Sequence, residues 1–381
     1  MADSGVAALC IGFLKELIAL KTVNPPGGER AAAAYIAEAL ARHGIACDVI
    51  PTSGERANVV SGLYGGDGPA VLLTGHLDVV PAGDGWDTPP FEAVERNGRI
   101  YGRGACDMKG GIAAMMAAAV WAVQRNGGVR PFRLAFVADE EVNGQGTRSL
   151  LQTLGAGDIR YAVIGEPTGN EIHIAHRGAI RFRVRVNGIS CHAGAPGQGV
   201  NALENMALVI EAVRRLNEEL GERKHPVLPP PTLCCTMIGA GAKDNIVPDC
   251  CELVVDCRPG IGDTAEGFAR AIRAKVEQAG GLQPGAKLEL TPYIDVPAGG
   301  VERDSAIVGW ARRSYVRRFG SEPVVAGFPA CCDVSQFTTA GVPAVLYGPG
   351  FIAQAHAVNE FVQRDQLERA LSFYCGCLAE A

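Results

Sequence analysis

His76 and Asp78 stand two residues apart in an extended stretch, so their side chains can share one face. An aspartate placed there can hold one imidazole nitrogen while the other binds a cation. Asp107 lies between a glycine-rich turn and a helical stretch, Glu140, Glu141 and Glu166 follow apolar runs, and His356 follows Gly348-Pro349-Gly350. Two imidazoles and three carboxylates, from His76, Asp107, Glu141, Glu166 and His356, suit a pair of Zn2+ ions with one carboxylate between them. Glu140 beside Glu141 sharpens this reading. Crowded carboxylates raise one another's pKa unless a cation neutralises them. A metal on Glu141 leaves Glu140 free to act as a base toward water. Each residue alone has a plainer explanation, a solvated strand-end carboxylate or a satisfied histidine.

Such residues need a scaffold that gathers the ends of strands. Apolar residues from Val6 to Ile18 recur at helical spacing, and residues 22–28 break the chain with turn formers. An alanine-rich helix follows over residues 29–42, stopped by Gly44. Apolar runs at 58–63, 70–73, 132–138, 161–165 and 344–347 read as strands, and 110–125 as a helix closed by Asn126-Gly127-Gly128. Alternation of this kind predicts an α/β domain with a mostly parallel sheet flanked by helices, whose ligands collect at the carboxyl ends of the strands. From about Arg177 the texture changes. Residues 180–186 alternate apolar and basic, helices are expected at 201–220 and 264–279, and strands at 233–238 and 253–257. These form an inserted α+β domain. The expected boundaries are 1–176 with 292–381 for the metal-binding domain and 177–291 for the insert, with the chain returning near Thr291-Pro292.

A chain of 381 residues exceeds what one core usually supports. With 48% hydrophobic and 20% charged residues it is an ordinary globular protein, and a net charge of −6 without a basic stripe argues against nucleic acid. No apolar run approaches a membrane span, and the amphipathic start is not a signal peptide. Thirteen cysteines, without framework spacing, fit reduced thiols and a cytoplasmic home. Gly102-Arg103-Gly104 and Gly144-Gln145-Gly146 lack the third glycine of a dinucleotide fingerprint.

The series GHLDVVP (75–81), YGRGACDMKGG (101–111), ADEE (138–141), GEPT (165–168) and AHAVNE (355–360) resembles the M20 family of metallopeptidases and amidohydrolases, in its acetylornithine deacetylase and succinyl-diaminopimelate desuccinylase branch. The resemblance spans nearly the whole chain in family order. It implies that Asp107 bridges two metals, with His76 and Glu166 completing one site and Glu141 and His356 the other. Asp78 would orient His76, Glu140 would be the general base, and the Asp107-Met108 peptide would be cis. It makes the insert a lid and dimerisation domain. There His192 would reach the reacting carbonyl oxygen, often across a dimer interface, while Asn245 and Arg258 would hold a substrate carboxylate. Arg suits that bidentate task. Gly350 joins them as a substrate-binding candidate. The loop Ala330-Cys331-Cys332-Asp333 departs from the small Gly and Thr residues common in the family, which bears on loop shape and substrate choice.

The expected protein is a dinuclear zinc amidohydrolase of amino-acid metabolism, with Co2+ or Mn2+ as substitutes. It would cleave an N-acyl amino acid by attack of a water bridging the metals and work as a homodimer through the lid. A dipeptidase or carboxypeptidase of the same family, a catalytically silent metal-loaded binding protein, and a purely structural dimer role for the lid are the alternatives.

Overall fold

The computed structural model describes residues 4–125 and 127–380. Asn126, part of the expected stop after the helix at 110–125, lies outside the described residues. The chain divides into two compact units. One comprises residues up to Ala175 with 300–328 and 332 onward, and the other residues 176–299 with 329–331.

The first unit is built on a sheet whose strands run, side by side, Cys47–Pro51, Ala57–Ser61, Phe132–Val137, Ala70–His76, Ile159–Ile164, Ala344–Leu346 and Ile172–His176. The three central pairings, those around Ala70–His76 and Ile159–Ile164, are parallel. The outer ones are antiparallel. Ala70–His76 is buried along its whole length. A central strand covered on both faces has no solvent side toward which to alternate, which is why it reads as a plain apolar run. Its register sets His76 opposite Val137 and Thr74 opposite Ile164. The segments after residues 76, 137 and 164 therefore leave the sheet at one carboxyl edge.

The helix Lys109–Val123 packs between Ser4–Ala19 and Arg364–Leu378 and is buried on almost every side. A helix enclosed all round needs small residues where neighbours press closest. Gly111 shows the limit: a Cβ there would lie 2.3 Å from the carbonyl oxygen of Gly165. The helix start thus rests on the peptide immediately before Glu166. Among the described residues no helix is long and apolar enough to cross a membrane, and the cysteines are reduced.

The second unit is a four-stranded antiparallel sheet in the order Thr232–Ala240, Cys250–Arg258, Ala179–Asn187, Lys287–Val296. Ile180, Phe182, Val184 and Val186 point into a core shared with the helices Ala202–Gly221 and Ala265–Gln278. The arginines between them face outward, as the alternation predicts. The expected return near Thr291-Pro292 falls inside the last strand, which keeps pairing with Ala179–Asn187 as far as Val296. Pro292 sits beside a register irregularity on an edge strand, where a missing N–H costs no ladder bond.

Candidate metal centre

Five of the expected side chains converge in the first unit as two triads, His76–Asp107–Glu166 and Asp107–Glu141–His356. Asp107 belongs to both. Its Oδ1 lies 3.1 Å from His76 Nε2, while its Oδ2 lies 3.5 Å from His356 Nε2. Glu166 Oε1 approaches His76 Nε2 at 3.8 Å, and Glu141 Oε1 is 3.0 Å from His356 Nε2. One carboxylate thus turns one oxygen to each triad. The Asp107-Met108 peptide is cis.

Asp78 acts differently from the expected orienting carboxylate. His76 Nδ1 pairs with the main-chain carbonyl of Asp78 at 2.9 Å, whereas the Asp78 carboxylate is 3.7 Å away. A carbonyl partner requires N–H at Nδ1, so Nε2, which faces Asp107 and Glu166, is the nitrogen left for a cation to take in place of a proton. The Asp78 carboxylate instead accepts the N–H groups of Glu140 at 3.1 Å and Glu141 at 3.0 Å, and Asn24 Nδ2 at 2.9 Å. It shapes the peptide that carries Glu140 and Glu141, the expected base and an expected ligand. Asp139, just before them, has φ of 65° and is fixed by Glu29, Asn24 and Arg56.

The electrostatics suit a cation. Burial, together with the charges of Asp333, Glu166 and Glu141, pushes the Glu140 carboxyl well above its usual range. Burial and the neighbouring Asp107, Glu141 and Asp333 do the same to Glu166. Burial and Asp107 raise Glu141 against the lowering influence of His356. Burial opposes a charge on His76, yet its bond to Asp107 and the field of Glu166 and Glu140 hold the imidazole well above its ordinary value. His356 is raised first by its bond to Glu141. Burial would raise Asp107, but its contact with His76 and the nearby His356 and Arg103 lower it. An acid-rich set with two borderline nitrogens fits divalent cations of the zinc type, whose charge would relieve this crowding.

Of the remaining expected residues, His192, Asn245 and Arg258 fall in the second unit and Gly350 in the first. His192 and Asn245 meet within the second unit, where Cys191–His192 pairs with Ile246–Val247 and Ala193 N–H donates to the Asn245 carbonyl at 3.0 Å. Both are exposed. His192 Nδ1 accepts the N–H of Gly194 at 3.0 Å. Arg258 ends its strand with Nε and Nη2 on the carboxylate of Asp256, at 2.8 and 3.3 Å. Gly350 is buried in the first unit at φ of 84°, its N–H on Gln366 Oε1 at 3.2 Å and its carbonyl accepting from Gly169. A Cβ there would lie 2.5 Å from Cys106 Sγ.

Residue types and spacing did not mark Asn24, Arg56, Arg103, Asp333 or Glu360 as part of this site. Asp333 is buried, bonded to Thr147 and Gln336, and raised by burial to about 6. Arg103 and Glu360 lie inside two of the quoted motifs, and Asn24 inside the turn at 22–28. Those motifs were the available signal.

A sequence profile described as Peptidase family M20/M25/M40 matches residues 72–380. An acetylornithine deacetylase of Vibrio campbellii is 31% identical over 344 residues, 87% of this chain and 88% of that protein. A probable succinyl-diaminopimelate desuccinylase of Staphylococcus aureus is 27% identical over 403 residues, 96% of this chain and 95% of its own. Among solved structures, an aminopeptidase from Bacillus cereus superposes with a TM-score of 0.78 at 18% identity, covering 98% of both chains. A dinuclear metal-binding peptidase of family M20 from Bacillus subtilis gives 0.75 at 16% identity, again over 98% of both.

Proposed function

The chain belongs to peptidase family M20/M25/M40 and is a metal-dependent amide hydrolase of the acetylornithine deacetylase/desuccinylase type, and from that premise we propose that it holds two Zn2+ ions and deacylates an N-acyl amino acid. The observation that carries the two-ion reading is Asp107, with one oxygen turned to each triad. His76 and Glu166 would complete one cation site and Glu141 and His356 the other. When bound, such cations polarise a carbonyl and bring the pKa of a water toward neutrality. Co2+ or Mn2+ could replace zinc in the same donor set.

The chain's own residues do the rest. Glu140 takes a proton from the attacking water on its carboxylate and later passes it to the leaving nitrogen. Its raised pKa suits that exchange. His192 Nδ1 accepts a main-chain N–H, so Nε2 carries the proton and is the donor offered to the developing oxyanion. Asn245 and Arg258 take the substrate carboxylate. Asp256 occupies the Nε side of that guanidinium, which leaves Nη1 for substrate. Gly350 serves by letting its loop pack directly against Cys106, where a Cβ would clash, beside the turn of Asp107. A homodimer through the second unit is supported by its edge strand Thr232–Ala240, where Met237 is 69% and Ile238 58% exposed.

The test is a panel of N-acetyl, N-succinyl, N-formyl and N-carbamoyl amino acids and dipeptides on zinc-reconstituted protein. Turnover of one N-acyl class over dipeptides is expected. Dipeptide cleavage alone replaces the deacylase reading with a peptidase, and binding without turnover replaces it with a silent binding protein. Glu140→Gln should keep both metals and lose about 10²–10⁴-fold in turnover; full activity would remove Glu140 from the base role.

A further inference from the structure

Arg103 and Glu360 form a buried ion pair that the chemistry above does not use. Their side chains are 2% and 0% exposed. Each Glu360 oxygen has two donors. Oε1 accepts the N–H groups of Cys106 at 2.8 Å and Asp107 at 3.0 Å. Oε2 accepts the N–H of Gly104 at 3.1 Å and Arg103 Nη1 at 2.6 Å. The Glu360 carbonyl takes the N–H of Gly102 at 3.0 Å. The turn ending at Asp107 is thus wrapped around one carboxylate. Arg103 Nη2 reaches the carbonyls of Pro81 and Ala82, both at 3.2 Å, and of His356 at 3.4 Å. The pair ties together the segment following His76, the turn carrying Asp107 and the loop carrying His356.

His356 depends on such a tie more than the other ligands. His76 and Glu166 leave buried strands and are 2% and 5% exposed, whereas His356 is 52% exposed. It also has φ of 62°. A side-chain-bearing residue keeps that left-handed conformation only where its surroundings fix it.

We propose that Arg103 and Glu360 are positioning residues that preform the Asp107–Glu141–His356 cation site, whose affinity depends on the pair more than that of His76–Asp107–Glu166 does. This rests on the two-cation reading above. The chemistry is specific to a carboxylate, because four donors need an acceptor on every side. In Glu360→Gln one oxygen becomes an NH2 that must oppose an N–H, and Arg103 stays buried without its counter-charge. Partners one step removed from a metal typically change its affinity 10–100-fold.

The experiment is Zn2+ titration of metal-free protein by calorimetry, with Co2+ absorption as a second readout of coordination. Wild type comes first: failure to bind two ions refutes the two-cation reading and the inference with it, whereas normal wild-type binding with unchanged variants refutes the inference alone. His356→Ala identifies which step belongs to the exposed triad. In Glu360→Gln that step should weaken about 10–100-fold while the other stays within about 3-fold, and Arg103→Lys should weaken the same step by about 10-fold. Equal losses in both steps make the pair a general structural tie and overturn the proposal. If Glu360→Gln does not fold by circular dichroism, Arg103→Lys decides; if neither folds, the pair serves folding and the proposal fails.

Discussion

Asp78→Asn separates the two roles that the side chain and main chain of one residue play. The carboxylate takes three donors, Asn24 Nδ2 and the N–H of Glu141 on Oδ2 and the N–H of Glu140 on Oδ1, the first buried and the other two partly so. An amide has one acceptor oxygen. Placed at the Oδ2 position it keeps two partners and turns its NH2 against Glu140 N–H; placed at Oδ1 it opposes two donors. The first arrangement costs less, so the disturbance falls on the peptide of the proposed base. Losing a charge-assisted hydrogen bond costs about 1.5–3 kcal/mol and stranding a buried N–H about 1–3. Removing a charge that crowds Glu29 offsets part of this. The net expectation is about 2–4 kcal/mol of stability and a fall in turnover of about 10²-fold from displacement of Glu140. His76 should be spared, because its Nδ1 is held by the Asp78 carbonyl, which the substitution leaves in place. Urea denaturation of metal-free protein reads the first quantity, kcat at saturating Zn2+ the second, and Zn2+ titration the third. Wild-type kcat, or loss of affinity at the His76–Asp107–Glu166 triad matching a His76→Ala control, would refute this division of labour.

Metal-free protein should lose stability as pH rises above 4.5. Burial and mutual repulsion raise Glu140, Glu141 and Glu166 above that ordinary value, so the folded state holds protons that the unfolded state releases. His76 and His356, also raised, act in the same direction above 6.5, while Asp107, lowered from 3.8, is ionised in both states throughout this range and leaves the slope unchanged. Saturating Zn2+ should flatten the slope and release protons on binding, measurable by calorimetry in buffers of different ionisation enthalpy; a flat metal-free profile would contradict the crowding. Burial depresses Lys109, whose Nζ donates to the Leu20 carbonyl, from 10.5 to about 7. The unfolded chain binds the extra proton between those values, so this lysine makes stability rise with pH there, and Lys109→Met should remove that rise in denaturation curves taken from pH 7 to 10. If His192 acts across a dimer, mixing inactive His192→Ala and Glu140→Gln subunits should restore part of the activity; mixtures that stay silent exclude donation between subunits.

The convergence of the proposed ligands was legible because each follows an apolar run or glycine turn, and a parallel sheet sends such runs to a common edge. His76, Glu141 and Glu166 are cases of that rule. The chain's return was expected near Thr291-Pro292, a stretch that lies within the second unit's last strand, and the edge position that tolerates a proline there is a property of the assembled sheet. Asp78 was read as the partner of His76 from their shared face, but side-chain spacing says nothing about a competing main-chain carbonyl. Glu360 and Asn24 were hidden for another reason. Their partners are N–H groups or side chains far along the chain, 257 residues away for Arg103 and Glu360, and no periodicity records such a meeting.

The order of these positions along the chain has a consequence for synthesis. His76, Asp107, Glu141 and Glu166 leave the ribosome well before Ala344–Leu346, the strand that pairs with Ile159–Ile164. His356 and Glu360, which complete one triad and hold the turn of Asp107, emerge later still. A nascent chain therefore carries four ligand-type residues for about half of its translation before the Asp107–Glu141–His356 triad can close. On the two-cation proposal, capture at the Asp107–Glu141–His356 triad would be deferred until residue 360 is free, so loading there would mark a chain whose sheet is already complete.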